Sequence, residues 1–358
     1  MPIPNKDVAG GKEARCAAQH FGPWMVEPAW FTQAVAAVKS GTMKPMAAAD
    51  LDSSGPSGYE VDDNGIAQIG LHGQMTKGAS SYGGASTVAV RRNIREAVRD
   101  DSVKAIFLHV DSPGGTVAGT ADLATEVNRA DAQKPVYAYI EDLGASAAYW
   151  VASQARRVTA NPTAQVGCIG TLIVLEDSSG KAEKEGLKVR VVSSGGYKGA
   201  FVEGTEITDE QIDYAQGIVN DMNIHLLQGV KKGRNMPIER VRELADGRLH
   251  IAAKALSLGL IDGVETIDDS VENLRRAVRE QENIAKRKRI EQRLRLAESV
   301  LGVVGAAKPS KAAYRCECLD CDYQMDSEKH CRDIRCPKCD GEMRRIERPG
   351  PGHREDGK

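Results

Sequence analysis

The sequence predicts an α/β protein, a mostly parallel sheet with helices on its faces, followed by a small cysteine-bound module. Three observations carry this. Short β-branched runs alternate with amphipathic stretches between residues 60 and 265, the connectivity that parallel strands require. Six of the eight cysteines fall between Cys316 and Cys339. Aromatic residues make up only 4% of the 358 residues, so the core is built from Ala, Val, Ile and Leu, with glycines for close packing.

The elements follow in order. Residues 1–60 are rich in Gly, Pro and Ala and read as an extension, with one short helix at 27–39 and a flexible stretch around Ser53-Ser54-Gly55-Pro56. Gly65–Leu71 reads as a strand. In 86–100 the apolar Val88, Ile94 and Val98 stand among polar residues, an amphipathic helix. Val103–Val110 is a second strand, and Asp111-Ser112-Pro113-Gly114-Gly115 is a turn that neither strand nor helix continues through. A helix over 117–130 and a strand at 135–140 come next. Gly144-Ala145-Ser146 opens an Ala-rich helix to about Ala155, and short strands follow at 156–160 and 188–192. Residues 206–260 read as helices, starting at Thr208 and ending at Gly259. A charged helix runs over 270–300. Nine Lys or Arg and five Asp or Glu lie between Val271 and Glu298, the mark of a solvated helix or linker, with a docking surface for an acidic partner as the alternative.

Hydrophobic residues are 41% and charged residues 27%, ordinary for a soluble globular chain, and the net charge is −2. No global field therefore drives the chain onto nucleic acid or an anionic membrane. No window approaches the roughly 18 apolar residues of a spanning helix, and the first thirty residues lack an apolar signal core. The expectation is a cytoplasmic chain, neither secreted nor anchored.

Three segments carry candidate chemistry. Gly114 and Gly115 follow a buried strand, and without Cβ atoms they let backbone N–H groups approach a substrate carbonyl as an oxyanion hole. A plain tight turn is the competing reading, and for this segment alone the stronger one. Ser146 stands where a strand gives way to a helix, which exposes Oγ near the positive end of a helix dipole. An ordinary N-cap is the competing role, and for this segment alone it is the stronger one. None of the seven histidines lies in a segment that suggests a triad partner, and His109 reads as a packed strand residue. A lysine can take a serine's proton where burial or a neighbouring cation keeps it neutral. Lys198, in the Gly-rich Ser194-Gly195-Gly196-Tyr197-Lys198, is a candidate, though most lysines are surface charges.

From about Gly65 to Val264 the chain resembles the signal peptide peptidase A family, and within it the head-maturation proteases of tailed phages. The segments that carry the resemblance are Val110–Gly115, Gly144–Trp150, Val166–Gly170, Ser193–Lys198, Asp246-Gly247-Arg248 and Ala255–Asp262. It implies a crotonase/Clp-protease-like fold over 61–268, with Ser146 as nucleophile and Lys198 as general base. Gly114, Gly115 and the amide of Ala147 would form the oxyanion hole, and no cofactor would take part in catalysis. It also implies a homo-oligomer in which neighbouring subunits can complete the dyad. Two departures stand out. The family's Ser-Gly-Gly-Tyr is here Ser146-Ala147-Ala148-Tyr149, and no membrane-anchoring N-terminus is visible. The second, with Gly22-Pro23-Trp24 and Gly83–Thr87, points to the phage branch.

A linker ends the charged stretch at 269–311, and the cysteine module spans 312–347 before a flexible tail at 348–358. Cys318-Leu319-Asp320-Cys321 and Cys336-Pro337-Lys338-Cys339 are two CxxC knuckles whose four thiolates suit tetrahedral zinc, as in a zinc ribbon. Cys316, Cys331 and His330 are spare, and any of them could replace a knuckle ligand. A redox-active CxxC is the rival reading. Clustered cysteines in an unexported chain also favour a reducing compartment. Met343–Arg348 gives the tail some basic character, leaving a nucleic-acid contact open.

The leading expectation is a protease that cleaves scaffold or capsid proteins in virus head maturation. The alternatives are a soluble bacterial signal-peptide or general peptidase, a crotonase-like acyl-CoA enzyme, and a structural head protein with a vestigial protease domain.

Overall fold

The computed structural model describes residues 22–45, 58–300, 314–327 and 329–347. The Ser53–Pro56 stretch, most of the 1–60 extension, the linker at 306–311 and the tail at 348–358 lie outside the described residues. The chain divides into two units, Met1–Gln281 and Glu282–Lys358.

The first unit opens with β1 (Trp24–Val26), α1 (Pro28–Lys39), β2 (Glu60–Val61), β3 (Ile66–His72), β4 (Met75–Thr76), β5 (Ala85–Ser86) and α2 (Thr87–Arg99). Then come β6 (Ala105–Ser112), β7 (Gly114–Thr116), α3 (Thr120–Asp131), β8 (Val136–Ala145), α4 (Ala147–Ala152), β9 (Arg157–Ala160) and β10 (Gln165–Gly167). It closes with α5 (Ser179–Lys184), α6 (Asp209–Arg234), α7 (Ile238–Leu244), β11 (Leu249–Ile251), α8 (Ala252–Ser257), β12 (Gly263–Val264) and the start of α9 (Ile267–Val300).

The main sheet has the order β11-β10-β8-β6-β3-β2, and its centre, β3, β6, β8 and β10, is parallel. β8 forks. Its first half, Tyr137–Ile140, pairs with β9, and its last three residues, Leu143–Ala145, pair with β10. The fork brings β8 to its end in the sheet interior, with Ser146 next in sequence. A smaller sheet, β1-β7-β4-β5, stands at the C-terminal ends of the strands.

One face of the main sheet packs on α2, α3, α4 and α6 through Ile69, Leu108, Ile140, Leu123 and Leu226. The other receives α9, where Val271, Leu274 and Val278 cover Ile66, Phe107 and Tyr139. Each such side chain contributes about 1.5–3 kcal/mol of burial. The charged helix is thus amphipathic in its first turns, and Arg275 also bonds Asp62 at 2.6 Å.

Three expectations need correction. Gly114 and Gly115 are strand residues, because β1 on one side and Met75 on the other offer backbone partners that the local sequence does not show. Residues 188–192 form no strand. Val192 is 99% exposed, and no strand among the described residues pairs with the segment. Leu249–Ile251, expected as helix, is an edge strand antiparallel to β10. The helix starting after Thr208 is as expected, with the Thr208 hydroxyl accepting from the Gln211 N–H.

The second unit holds the rest of α9 and a three-stranded antiparallel sheet of β13 (Tyr314–Cys318), β14 (Gln324–Ser327) and β15 (Met343–Glu347), in the order β14-β13-β15.

Candidate active site

Ser146 is the single residue between β8 and α4, with φ 53° and ψ −114°. A non-glycine residue held there costs about 1–3 kcal/mol. Two backbone bonds hold it: its N–H donates to Gly167 O at 2.7 Å, and its carbonyl accepts the Trp150 N–H at 2.9 Å. The side chain caps nothing. The N-cap role is therefore not the one Ser146 plays. Its Oγ instead donates to the carbonyl of Gly170 at 3.2 Å, and the residue is fully buried. A strained strand-to-helix corner that presents a hydroxyl is the geometry of a nucleophile elbow.

Ala147 is the first residue of α4, so its N–H has no intrahelical acceptor. Gly114 lies beside it with φ 92°, and a Cβ at Gly114 would stand 3.0 Å from Ala147 N and 2.2 Å from Met25 O. No side chain fits there. The N–H of Gly114 donates to Ser112 Oγ at 3.2 Å, so Gly115 is the glycine whose amide is turned toward the neighbouring strand. A Cβ at Gly115 would fall 1.9 Å from Met75 O. The structure thus brings Ser146, Ala147, Gly114 and Gly115 into one buried corner.

No hydrogen bond joins Lys198 to Ser146 among the described residues. Lys198 is exposed, and its side chain makes no hydrogen bond or ion pair among the described residues. Its loop is held to α6 by ring contacts of Tyr197 and Phe201 with Tyr214. His109 bonds Glu141 at 2.8 Å and meets His72 edge-on, which occupies it away from Ser146. Burial pushes the Cys168 thiol up to about 12, so it stays protonated and is no rival nucleophile.

Sequence reasoning missed the support behind α4. Arg234 grips Asp262 with bonds of 2.7 and 3.0 Å, and Asp262 also accepts the Val158 N–H at 2.7 Å. Arg234 donates further to Gly259 O at 3.1 Å, next to Leu260, whose carbonyl takes the buried Tyr149 hydroxyl at 2.7 Å. The arginine and aspartate lie 28 residues apart, so no local pattern marks the pair.

In the second unit the sulfurs of Cys318, Cys321, Cys336 and Cys339 lie within 4.8 Å of one another. Cys318 and Cys339 are 3.4 Å apart and Cys321 and Cys336 3.6 Å. Four thiolates around one metal with metal–sulfur bonds of about 2.3 Å stand about 3.8 Å apart, so the set fits a tetrahedral ion. The knuckle amides of Asp320 and Lys338 point at Cys318 and Cys336 sulfurs at 3.3 and 3.4 Å. Cys316 and Cys331, spare in the sequence reading, form a disulfide.

Residues 128–280 match the sequence model of peptidase family S49. Over this segment the chain is similar to that family. The segment contains Ser146 and Lys198, whereas Gly114 and Gly115 precede it. A protein of Methanocaldococcus jannaschii described as a protease is 34% identical over 176 residues, 49% of this chain and 57% of that one. A protein of Enterococcus faecium described as a signal peptide peptidase is 28% identical over 184 residues, 51% of this chain and 54% of its own. The capsid assembly protease C of Escherichia phage lambda is 26% identical over 234 residues, 63% of this chain and 53% of that protein. The chain spans a little over half the length of these relatives. The S49 match and the protease names support a peptidase. Among the described residues no helix is long and apolar enough to cross a membrane.

Proposed function

We propose that the chain is a serine endopeptidase of the S49 type, with Ser146 as nucleophile and Lys198, supplied by a neighbouring copy, as its base. The observation that carries this is the corner in which the strained Ser146 adjoins the free amide of Ala147 and the side-chain-free Gly114. The exposed Lys198 loop fits a base that works across a subunit boundary. Around it Val189, Val191, Val192 and Val202 are left in solvent, apolar surface that a second copy would cover. The α/β core then belongs to the crotonase/Clp-protease-like class.

The chemistry is acyl transfer. Neutral Lys198 takes the proton of Ser146 Oγ as the oxygen attacks the peptide carbonyl carbon. The amides of Gly115 and Ala147 bond the resulting oxyanion, and Gly114 leaves room for it. Lys198 gives its proton to the leaving amine as the C–N bond breaks. Water, deprotonated by Lys198, then cleaves the acyl ester and returns Ser146.

The substrate reading is a scaffold or capsid protein of a viral head, supported by the likeness to the lambda capsid assembly protease over 63% of the chain. The second reading, a signal-peptide-peptidase-like enzyme, is supported by the Enterococcus relative. The four-cysteine cluster holds structural zinc in this proposal. A fluorophosphonate probe tests the enzyme: it should label Ser146, and labelling should vanish in Ser146→Ala. A labelled protein that cuts co-expressed head proteins but no signal-sequence peptide supports the viral reading. Absence of label under conditions where the fold is intact removes the nucleophile.

A further inference from the structure

We propose that residues Pro23–Glu27 occupy the track along which an extended peptide substrate binds, so that the chain shields its own nucleophile until this segment leaves. The inference rests on the peptidase reading and names a regulation of that site.

Peptidases that hold substrate as an extended strand need an unpaired strand edge beside the oxyanion donors, where the peptide adds by backbone hydrogen bonds. The edge here is the side of β7 away from β4, and β1 fills it. Trp24, Met25 and Val26 pair antiparallel with Thr116, Gly115 and Gly114. On its other side β1 meets the segment that follows Gly170, with Trp24 N donating to Leu172 O and Leu172 N to Trp24 O, both at 2.8 Å. The inserted segment is thus clamped from two sides, as an added peptide would be.

The register locates the carbonyl that stands in for substrate. Because Trp24 turns both its polar groups to Leu172, alternation turns those of Met25 to β7. The flanking bonds agree: Glu27 N donates to Pro113 O at 2.8 Å and Val117 N to Pro23 O at 3.4 Å. The Met25 carbonyl is therefore the group that faces the Gly115 amide. It also lies 2.2 Å from the point where a Gly114 Cβ would stand, a point 3.0 Å from Ala147 N. Met25 takes the place of the residue whose carbonyl would be attacked.

Two further observations belong to a covered site. Ser146 has no solvent exposure, and its hydroxyl is spent on Gly170 O. The helix that follows the covering segment is lightly seated. Trp24, Met25 and Val26 are buried, but α1, which follows them, has no buried residue, and Trp30, Phe31, Val35 and Val38 line an open apolar hollow of about 320 Å³ with Trp24 and Tyr82. An arrangement with a buried strand and a loosely seated helix is suited to release.

The test compares the full-length wild type with full-length Trp24→Ala and Phe31→Ala, whose rings meet at 5.0 Å. One readout is the rate of Ser146 labelling by a small fluorophosphonate. The other, which needs no catalysis, is anisotropy of a fluorescent peptide with the sequence of residues 20–34. Labelling at least about tenfold faster in the variants, with peptide captured by the variants and not by the wild type, supports the proposal. Equal labelling and equal peptide binding overturn it. If nothing labels in any form, the nucleophile reading fails alone, and the peptide readout still decides self-occupancy. Should both variants misfold, hydrogen exchange on the wild type replaces them. Added casein peptides should then speed exchange at the amides of Trp24 and Glu27 while leaving β6 unchanged, and unchanged Trp24 and Glu27 overturn the proposal.

Discussion

Gly229 of α6 lies against the indole of Trp150 in α4, so closely that a Cβ at 229 would stand 1.8 Å from Nε1. One turn on, a Cβ at Gly233 would meet the Ser153 carbonyl at 2.2 Å. The two glycines let α6 approach the short helix that begins beside Ser146 at backbone distance, and Gln154 seals the contact with a 2.9 Å bond to Gly229 O.

Gly229→Ala therefore acts against its own helix propensity. Alanine in mid-helix is worth up to about 1 kcal/mol over glycine, but the new methyl must displace a 6%-exposed tryptophan, an overpacking of about 1–3 kcal/mol. The expected outcome is a net loss of stability in urea unfolding, with slower Ser146 labelling because α4 shifts. A variant more stable than wild type would show that the helices separate freely.

Asp262 carries a pH signature. Burial pushes its carboxyl upward, but the bonds from Arg234 and the Val158 amide outweigh this and hold it below the usual range. A depressed folded-state pKa stabilises the fold above the unfolded value, about 3.9, and that stability is lost as pH falls through the folded value. Asp262→Asn should cost about 2–4 kcal/mol at neutral pH, since Arg234 is left buried without its counter-charge. Its stability should also fall less steeply than wild type below about pH 4. Urea midpoints at pH 3 and pH 7 check both.

Much of this fold is legible in the sequence because its elements are local. The β-branched run ending at Val110, the amphipathic 86–100 segment and the Thr208 helix start each announce themselves within a few residues. The CxxC knuckles are likewise marked by their own neighbours, whereas Ser146 reads locally as an N-cap and its elbow shows only in the backbone. What the sequence hides depends on distant partners. Gly114-Gly115 reads as a turn until Trp24–Val26 and Met75 supply strands on either side. Val189–Val192 reads as a strand, but it has no strand partner among the described residues. The Arg234–Asp262 grip and the Cys316–Cys331 bond join residues with no shared pattern.

The cysteine unit should depend on its metal. Its core is four buried cysteines with Met343, flanked by Tyr314, Tyr323, Met325 and Ile334, too little apolar surface to fold alone. Bound zinc contributes about 10–16 kcal/mol in such modules. Cys336→Ser, or chelation, should melt the β13–β15 sheet, and elemental analysis should find one zinc per wild-type chain. Ser146 labelling should persist, since all the residues of the site lie in the first unit. One metal bound with no change in thiol reactivity on chelation would exclude the four-thiolate site.

The separation of Ser146 from Lys198 makes a prediction that no single-chain site shares. If each site joins Ser146 of one copy to Lys198 of the next, Ser146→Ala and Lys198→Ala are each inactive alone. Mixed after dissociation and reassembly, they should regain activity. A site works where an intact Ser146 from the lysine variant meets an intact Lys198 from the serine variant. In a head-to-tail ring formed from equal amounts, about a quarter of the junctions satisfy this. Peptidase activity near a quarter of wild type, appearing only after co-assembly and falling on dilution, is the expected result. Dilution acts because dissociation removes the base from the nucleophile. Mixtures that stay inactive while forming the same oligomer as wild type would place both residues in one subunit, with the loop at 193–198 folding back onto its own α4.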